Sequence, residues 1–171
     1  IEFQMKGNIV HPLRLKKDIL LELEESLILC DTKTRHNSGT IQEDLKTKMS
    51  NQDIPKLIKE NVSICIQMRD CLLKGNLTQF GHLLDKAWKI KKKYTDKISN
   101  SDLDVIYANA IQNGAKGGKL LGAGGGGFFL FYVPPFEKNN LIQYLKSKGL
   151  NIHQFVFEKD GLKSWISRVN G

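Results

Sequence analysis

A glycine-rich run directly before an apolar segment is the feature of this sequence that most restricts its fold. Residues 114–127 read GAKGGKLLGAGGGG, and an unbroken apolar run with the length of a buried strand follows from Phe128 to Val133. Glycine loses more conformational entropy on folding than any other residue, so such a cluster is unfavourable unless the backbone needs positive φ or a close approach. We therefore expect a loop whose backbone closely approaches another group, such as a ligand, beside a core strand.

The common phosphate-binding motifs do not account for this run. A Walker A loop needs Ser or Thr after Gly-Lys, but Gly118-Lys119 is followed by Leu120. Residues 122–127 satisfy G-x-G-x-x-G, yet the dinucleotide-binding version opens a helix and this one precedes a strand. The protein-kinase glycine loop does lie between strands, but no V-A-I-K, H-R-D or D-F-G motif is present.

The first half of the chain has mixed β and helical patterns. Residues 1–15 have the pattern of a hairpin that turns near Lys6-Gly7-Asn8, residues 16–25 that of a short helix, and residues 26–32 that of a buried strand. Three apolar stripes at helical spacing follow, and we assign them to the core. They comprise Ile54, Leu57, Ile58, Ile64, Cys65, Met68 and Leu72; Leu77, Phe80, Leu84, Ala87, Trp88 and Tyr94; and Leu103, Ile106, Tyr107 and Ala110.

Helix ends and the last third of the chain complete the predicted fold. Gly75 should end the first long helix, and Ser101 with Asp104 should cap the start of the third. After the 128–133 strand we predict a helix that ends at Gly149 and a hairpin that turns at Asp160-Gly161. The pattern predicts an α+β domain over residues 1–171, with helices packed on one face of an antiparallel sheet.

Charge and composition indicate which partners and which cellular compartment are expected. The net charge is +8, with lysine densest at KIKKKYTDK, residues 89–97. Nucleic acid is one explanation and a solvated helix face is another; we favour the helix face because no aromatic stacking pattern accompanies the lysines, and anionic substrates agree with either. The three cysteines and four histidines lack metal-site spacing, so we expect reduced thiols and no metal ligands. Without a signal peptide or a long apolar span, a cytoplasmic protein with no membrane partner is expected.

The glycine run resembles the third signature of the GHMP small-molecule kinases, in which G-x-x-G-x-K-L-x-G-A-G-x-G-G precedes an apolar strand. Ten positions fall on this pattern in register, namely Gly114, Gly117, Lys119, Leu120, Gly122, Ala123, Gly124, Gly126, Gly127 and Phe128. Leu121 stands where many members have Thr or Ser. Within the superfamily, the run and the segments IEF, PLRL, ELEESLILCDT and TRHNSGTI are similar to the D-glycero-D-manno-heptose 7-phosphate kinases, although Lys33 replaces a glycine of that family.

The resemblance implies a ferredoxin-like C-terminal kinase domain that acts with ATP and Mg²⁺ on a sugar phosphate, with heptose 7-phosphate as the expected acceptor. The family's first signature, its ATP loop and its catalytic Asp are not in this sequence. We therefore expect no catalytic residue in this chain, a partner in the N-terminal half of the kinase, and no turnover by these 171 residues alone.

The resemblance also suggests site residues. Gly122, Ala123, Gly124, Gly125, Gly126 and Gly127 are the candidate phosphate loop. Their backbone N–H groups can form one concave anion site, although tight packing alone would also explain the glycines. Arg35 and Lys119 are candidate contacts for the substrate phosphate, with a surface ion pair and a solvated side chain as the respective alternatives, and Lys116 is expected to be solvated. A basic binding module of the same fold, which engages nucleic acid or a protein, is the alternative function.

Overall fold

The computed structural model describes residues 1–34, 38–48, 53–158 and 160–165. The six strands are β1 (Glu2–Gln4), β2 (Gly7–Ile9), β3 (Leu27–Asp31), β4 (Gly117–Leu120), β5 (Phe128–Tyr132) and β6 (Asn151–His153). The six α-helices are α1 (Lys17–Ser26), α2 (Ser38–Lys48), α3 (Asp53–Lys74), α4 (Leu77–Lys92), α5 (Ser101–Gln112) and α6 (Pro135–Ser147). A short 3₁₀ helix spans Asp96–Ile98.

The main sheet has four antiparallel strands in the order β4-β5-β3-β6, and β1 pairs with β2 in a separate hairpin. Along the chain the main unit runs strand, helices, two strands, helix and strand, which is the ferredoxin-like βαββαβ arrangement. Its register places Cys30 opposite both Phe129 and Ile152, and Leu120 opposite Phe129. The predicted α+β class with an antiparallel sheet is confirmed.

The core follows from the alternation of side chains along these strands. Ile28 and Cys30 of β3 share one face with Phe129 and Phe131 of β5, and helices α4, α5 and α6 cover that face. Trp88 lies at the centre and packs edge-on against Phe129, with ring centroids 5.6 Å apart. On the opposite face, part of the sheet is covered as well. There Leu27 and Tyr132 pack with Leu23, Leu77 and Leu84 from α1 and α4.

Most of the predicted elements are present, and the differences have local causes. The 53–74 helix, its end at Gly75 (φ 71°) and the helix before Gly149 are confirmed. Helix α5 is capped by Asn100, whose side chain accepts from Leu103 N at 3.0 Å, so the predicted Ser101 cap is wrong by one residue. Cys65 is exposed rather than part of the core stripe.

The predicted C-terminal hairpin is wrong in the part that can be compared. Only Asn151–His153 forms a strand, and residues 154–158 and 160–165 are in neither helix nor strand. Lys159 and residues 166–171, which include the end of the predicted second strand, lie outside the described residues. Two elements were missed: α2, and β4, whose two glycines hide the strand pattern.

Candidate functional site

The glycine loop, residues 121–127, connects the antiparallel strands β4 and β5. Leu121 N donates to Phe128 O at 2.8 Å and so extends the strand pairing by one step into the loop. Beyond that point the backbone turns through conformations that favour glycine. Gly122, Gly124, Gly125 and Gly127 have φ values of 70°, 129°, 76° and 99°.

The second half of the loop is fixed by backbone contacts. Gly125 N donates to Ile98 O and Gly127 N donates to Thr34 O, both at 2.8 Å. Gly127 O in turn accepts from the backbone N–H and the hydroxyl of Thr32, also at 2.8 Å. A Cβ on Gly124 would lie 2.9 Å from Ile98 Cα, and one on Gly126 would overlap the carbonyl oxygen of Thr34. The predicted close approach is therefore present, and its partner is backbone.

Four N–H groups of the loop have no hydrogen-bond acceptor among the residues that the structure describes. The N–H groups of Gly122, Ala123, Gly124 and Gly126 donate to no acceptor within the described ranges. Successive N–H groups without internal partners can form a concave anion site, because no Cβ stands between them and a phosphate oxygen. Packing therefore explains why Gly124 and Gly126 are glycines, while the donors that lack an acceptor within the described residues are of the kind that an anion could use.

Lys91, near the end of α4, is the residue of this site that the sequence did not reveal. Its Nζ donates to Leu120 O at 3.1 Å and to Gly122 O at 2.6 Å. Burial of the ammonium group, assisted by the nearby charge of Lys119, lowers the pKa of Lys91 to about 8. The available signal was its spacing, since Lys91 follows Ala87 by four residues and lies on the apolar side of α4 rather than on a solvated face.

Residues 68–151 match the family model "GHMP kinases C terminal". The chain is 36% identical over 163 residues to the D-glycero-alpha-D-manno-heptose 7-phosphate kinase of Campylobacter jejuni, a match that covers 95% of this chain and 48% of that protein. The chain contains the C-terminal domain of the GHMP kinases. It spans about half the length of this curated relative.

Two solved structures of proteins described as sugar kinases are similar to the chain. A Campylobacter jejuni protein assigned as a sugar kinase superposes with a TM-score of 0.64 at 35% identity, over 92% of this chain and 44% of that one. The D-glycero-D-manno-heptose 1-phosphate kinase of Bacteroides thetaiotaomicron gives a TM-score of 0.61 at 27% identity, over 92% of this chain and 42% of that one.

The turn after β3 places Lys33 in a backbone conformation that favours glycine. Lys33 has a φ of 58°, in the left-handed region, and its N–H donates to the Asp31 carboxylate at 2.8 Å. Thr34 then reaches the glycine loop through its carbonyl. The turn is therefore formed with lysine at a position that favours glycine, at the cost of a strained backbone.

Replacing Lys33 with glycine is expected to stabilise the protein. Glycine removes roughly 1–2 kcal/mol of strain that lysine has in the left-handed conformation of the native state. Glycine also gives the unfolded chain more conformational freedom, which lowers the free energy of unfolding by roughly 0.4–1 kcal/mol. We expect a net gain of up to about 1.5 kcal/mol in the free energy of unfolding, measured by urea denaturation, since the contact with the Asp31 carboxylate uses only the backbone N–H of residue 33. Lys33→Ala, which keeps the strain, serves as the control; equal stability of the two variants would contradict this explanation.

The other predicted site residues have different surroundings. Lys119 lies in β4, half-buried, close enough to Lys91 to affect the pKa of its ammonium group. Lys116, expected to be solvated, is instead paired with Glu137 at 3.1 Å and is 30% exposed. Arg35 lies outside the described residues, directly after Thr34 in the sequence.

Other features of this GHMP kinase domain do not extend the site. A cavity of about 1070 Å³ between α1, α6 and β6 is lined by Leu27 and Ile28, at the end of β3 away from the loop. Within the described ranges, no three His, Cys, Asp or Glu side chains are grouped so that they could hold a metal ion. No described helix has both the length and the apolar character needed to cross a membrane.

The lowered pKa of Lys91 predicts a distinctive pH dependence of stability. Between pH 8 and 10.5, the unfolded chain binds more protons at this residue than the native state does. The free energy of unfolding should therefore rise with pH across this interval relative to Lys91→Met, which has no ammonium group. Urea denaturation of both proteins from pH 7 to 10 measures the difference between their free energies of unfolding. The contributions of the other lysines are the same in both proteins and cancel in this difference. A difference that stays constant with pH would contradict the lowered pKa.

Proposed function

We propose that this chain takes part in transfer of the γ-phosphoryl group of ATP to a hydroxyl of a phosphorylated sugar, with a heptose 7-phosphate as the acceptor. In this reaction ATP becomes ADP and the sugar hydroxyl loses its proton. The observation that carries the proposal is the glycine loop, because four of its N–H groups have no acceptor within the described residues and Lys91 contacts its backbone, in a chain 36% identical to a heptose 7-phosphate kinase.

Phosphoryl transfer depends on positioning and charge neutralisation, and the loop is suited to both. The N–H groups of Gly122, Ala123, Gly124 and Gly126 are the available donors, and the hydrogen bonds from Gly125 to Ile98 and from Gly127 to Thr34 hold the second half of the loop before any ligand arrives. Lys119 and Lys91 add positive charge at the edge of the loop. Such donors favour the charge that spreads over the phosphoryl oxygens in the transition state.

In this proposal Mg²⁺ is only the ion that binds together with ATP. In the described part of the chain no three His, Cys, Asp or Glu side chains are grouped as metal ligands, and we assign none of these side chains to Mg²⁺. The ion would neutralise the phosphates of ATP when bound. Because the chain spans about half of its curated relative, transfer is proposed for a polypeptide that combines these residues with an ATP loop and a catalytic Asp.

The test is a phosphotransfer assay on the protein encoded by the complete gene. Purified protein with ATP and Mg²⁺ is offered heptose 7-phosphate, heptose 1-phosphate, galactose and mevalonate, and products are followed by ³¹P NMR. We expect a bisphosphorylated heptose from the 7-phosphate, and no turnover by residues 1–171 alone. Preference for another acceptor would overturn the heptose proposal. Turnover by residues 1–171 alone would overturn the proposal that transfer needs an ATP loop and a catalytic Asp outside these residues.

Arg35 remains our candidate for the phosphate group that the acceptor already carries. The residue before it contacts the loop, and an arginine fork can bind phosphate through two hydrogen bonds. In the complete enzyme, Arg35→Ala should raise the KM for the sugar phosphate, because a lost charged contact costs about 1.5–3 kcal/mol. Arg69→Ala is the matched control, since Arg69 is 49% exposed and pairs with its neighbour Asp70. An unchanged KM in Arg35→Ala would exclude this role.

A further inference from the structure

Lys91 is bound to the glycine loop through backbone carbonyls rather than through an acidic side chain. Its Nζ contacts Leu120 O and Gly122 O at 3.1 and 2.6 Å, and no ion pair forms at Lys91 within the described ranges. A half-buried ammonium without a carboxylate partner is unusual for a purely structural lysine, because burial is unfavourable for the charged form.

The contact with Gly122 O determines where the next N–H group points. In a trans peptide the C=O of one residue and the N–H of the following residue point in opposite directions. Since Gly122 O is directed at Lys91, the N–H of Ala123 is directed away from the ammonium group. This N–H is one of the four loop donors without an acceptor in the described part of the chain.

The rest of the loop is held independently of Lys91. Residues 125–127 are anchored by Ile98, Thr34 and Thr32, and Leu121 is anchored by its bond to Phe128. Between these anchors, the Gly122–Ala123 peptide has Lys91 as its hydrogen-bond partner among the described residues. Loss of Lys91 should therefore free this one peptide and leave the remainder of the loop in place.

We propose that Lys91 is a positioning residue, which fixes the Gly122–Ala123 peptide so that the Ala123 N–H faces the transferring phosphate. This inference rests on the proposed function of the glycine loop. Lys91 acts through the backbone and need not touch the phosphate itself. The consequence is specific to one amide, because Gly126 presents its N–H from the half of the loop that other contacts hold.

The experiment compares these two amides within the same molecule by NMR, on the 171-residue chain with inorganic pyrophosphate as the probe. In the unmodified chain both amides should shift on titration, and the Ala123 N–H should have an order parameter near the rigid value of about 0.85. In Lys91→Met we expect the Ala123 order parameter to fall below about 0.6 and its response to pyrophosphate to disappear, while Gly126 still responds.

Two further variants separate positioning from general effects of charge and folding. Lys91→Arg retains a cation with several donors and should restore the Ala123 response at least in part. Lys86→Met removes a charge from an exposed position on the same helix and should leave both amides unchanged. Thermal melting of each variant is measured alongside, so that loss of the fold is recognised as such.

The outcomes distinguish this inference from the function on which it rests. An Ala123 amide that stays ordered and responsive in Lys91→Met overturns the positioning role alone. Equal loss at Ala123 and Gly126 together with lower thermal stability would also overturn it, since a merely structural lysine predicts that result. If neither amide of the unmodified chain responds to pyrophosphate, the phosphate-binding function of the loop is itself overturned, and positioning toward a phosphate with it.

Discussion

Gly126→Ala is expected to lower the stability of the protein and, under the proposed function, the binding of phosphate by the glycine loop. The added Cβ would overlap the Thr34 carbonyl oxygen and lie 2.7 Å from the carbonyl carbon, so the backbone at Thr34 must move. That carbonyl also accepts the hydrogen bond from Gly127 N at 2.8 Å, which would be weakened by the same movement. Gly126 has no positive φ, so the effect is steric and not conformational.

The expected size of the Gly126 effect is large for a single methyl group. Overpacking against backbone together with a weakened hydrogen bond should cost about 2–3 kcal/mol, and the melting temperature should fall by about 5–10 °C. In the complete enzyme, Gly126→Val should reduce kcat/KM by at least about tenfold, equivalent to roughly 1.4 kcal/mol. Calorimetry of Gly126→Ala measures the loss of stability, and calorimetry together with steady-state kinetics of Gly126→Val separates lost activity from lost folding.

Gly122→Ala is the matched control within the same loop. Gly122 has a φ of 70° but no atom within 4 Å of an added Cβ, so the substitution introduces strain without overlap. It should cost about 1–2 kcal/mol of stability and leave the loop contacts intact. Weaker phosphate binding by a well-folded Gly122→Ala protein would support a ligand at the loop. A Gly126→Ala protein no less stable than the Gly122→Ala protein would contradict the close approach to Thr34.

The sequence predicted the fold well wherever a single element generates a strong pattern. The 3.6-residue stripes of α3, α4 and α5 are long, and the apolar run of β5 is flanked by glycine and proline, so local signals agree with the tertiary structure. β4 was missed because Gly117 and Gly118 carry no β propensity. Both positions must be glycine because a side chain would overlap atoms of a neighbouring helix or strand. These contacts are made by residues distant in sequence, so no local sequence pattern indicates them.

The candidate site was predictable in part for the same reason. The glycine loop was found because a backbone that needs positive φ requires glycine, and glycine is visible in the sequence. Four glycines of residues 121–127 have positive φ. Lys91 was not found, because its role depends on two carbonyls that lie about 30 residues further along the chain. The charge count grouped Lys91 with its solvated neighbours, and only its place on the apolar side of α4 set it apart.

Gly117→Ala is expected to be the most damaging of these substitutions, because α4 packs directly against the backbone of β4. An added Cβ would overlap the carbonyl oxygen of Gly81 and lie 2.8 Å from Asp85 N, the two atoms that an α-helix pairs in one turn. The helix cannot yield locally, since Trp88 on the same element is fully buried among Phe129 and the other core rings.

The loss in Gly117→Ala should be about 3 kcal/mol or more in the free energy of unfolding, with melting lowered by about 10 °C or no soluble protein recovered. Gly149→Ala is the control, because Gly149 has a φ of 74° and open space around its Cβ position, and it should lose only about 1–2 kcal/mol. Melting of Gly117→Ala within about 2 °C of the unmodified chain would contradict the close contact of α4 with β4.

Where Gly117→Ala does fold, α4 must lie further from β4, and the distances from Lys91 Nζ to Leu120 O and Gly122 O must increase with that separation. Weakened pyrophosphate shifts at Ala123 in such a protein would therefore connect the packing of the sheet edge to the chemistry of the loop.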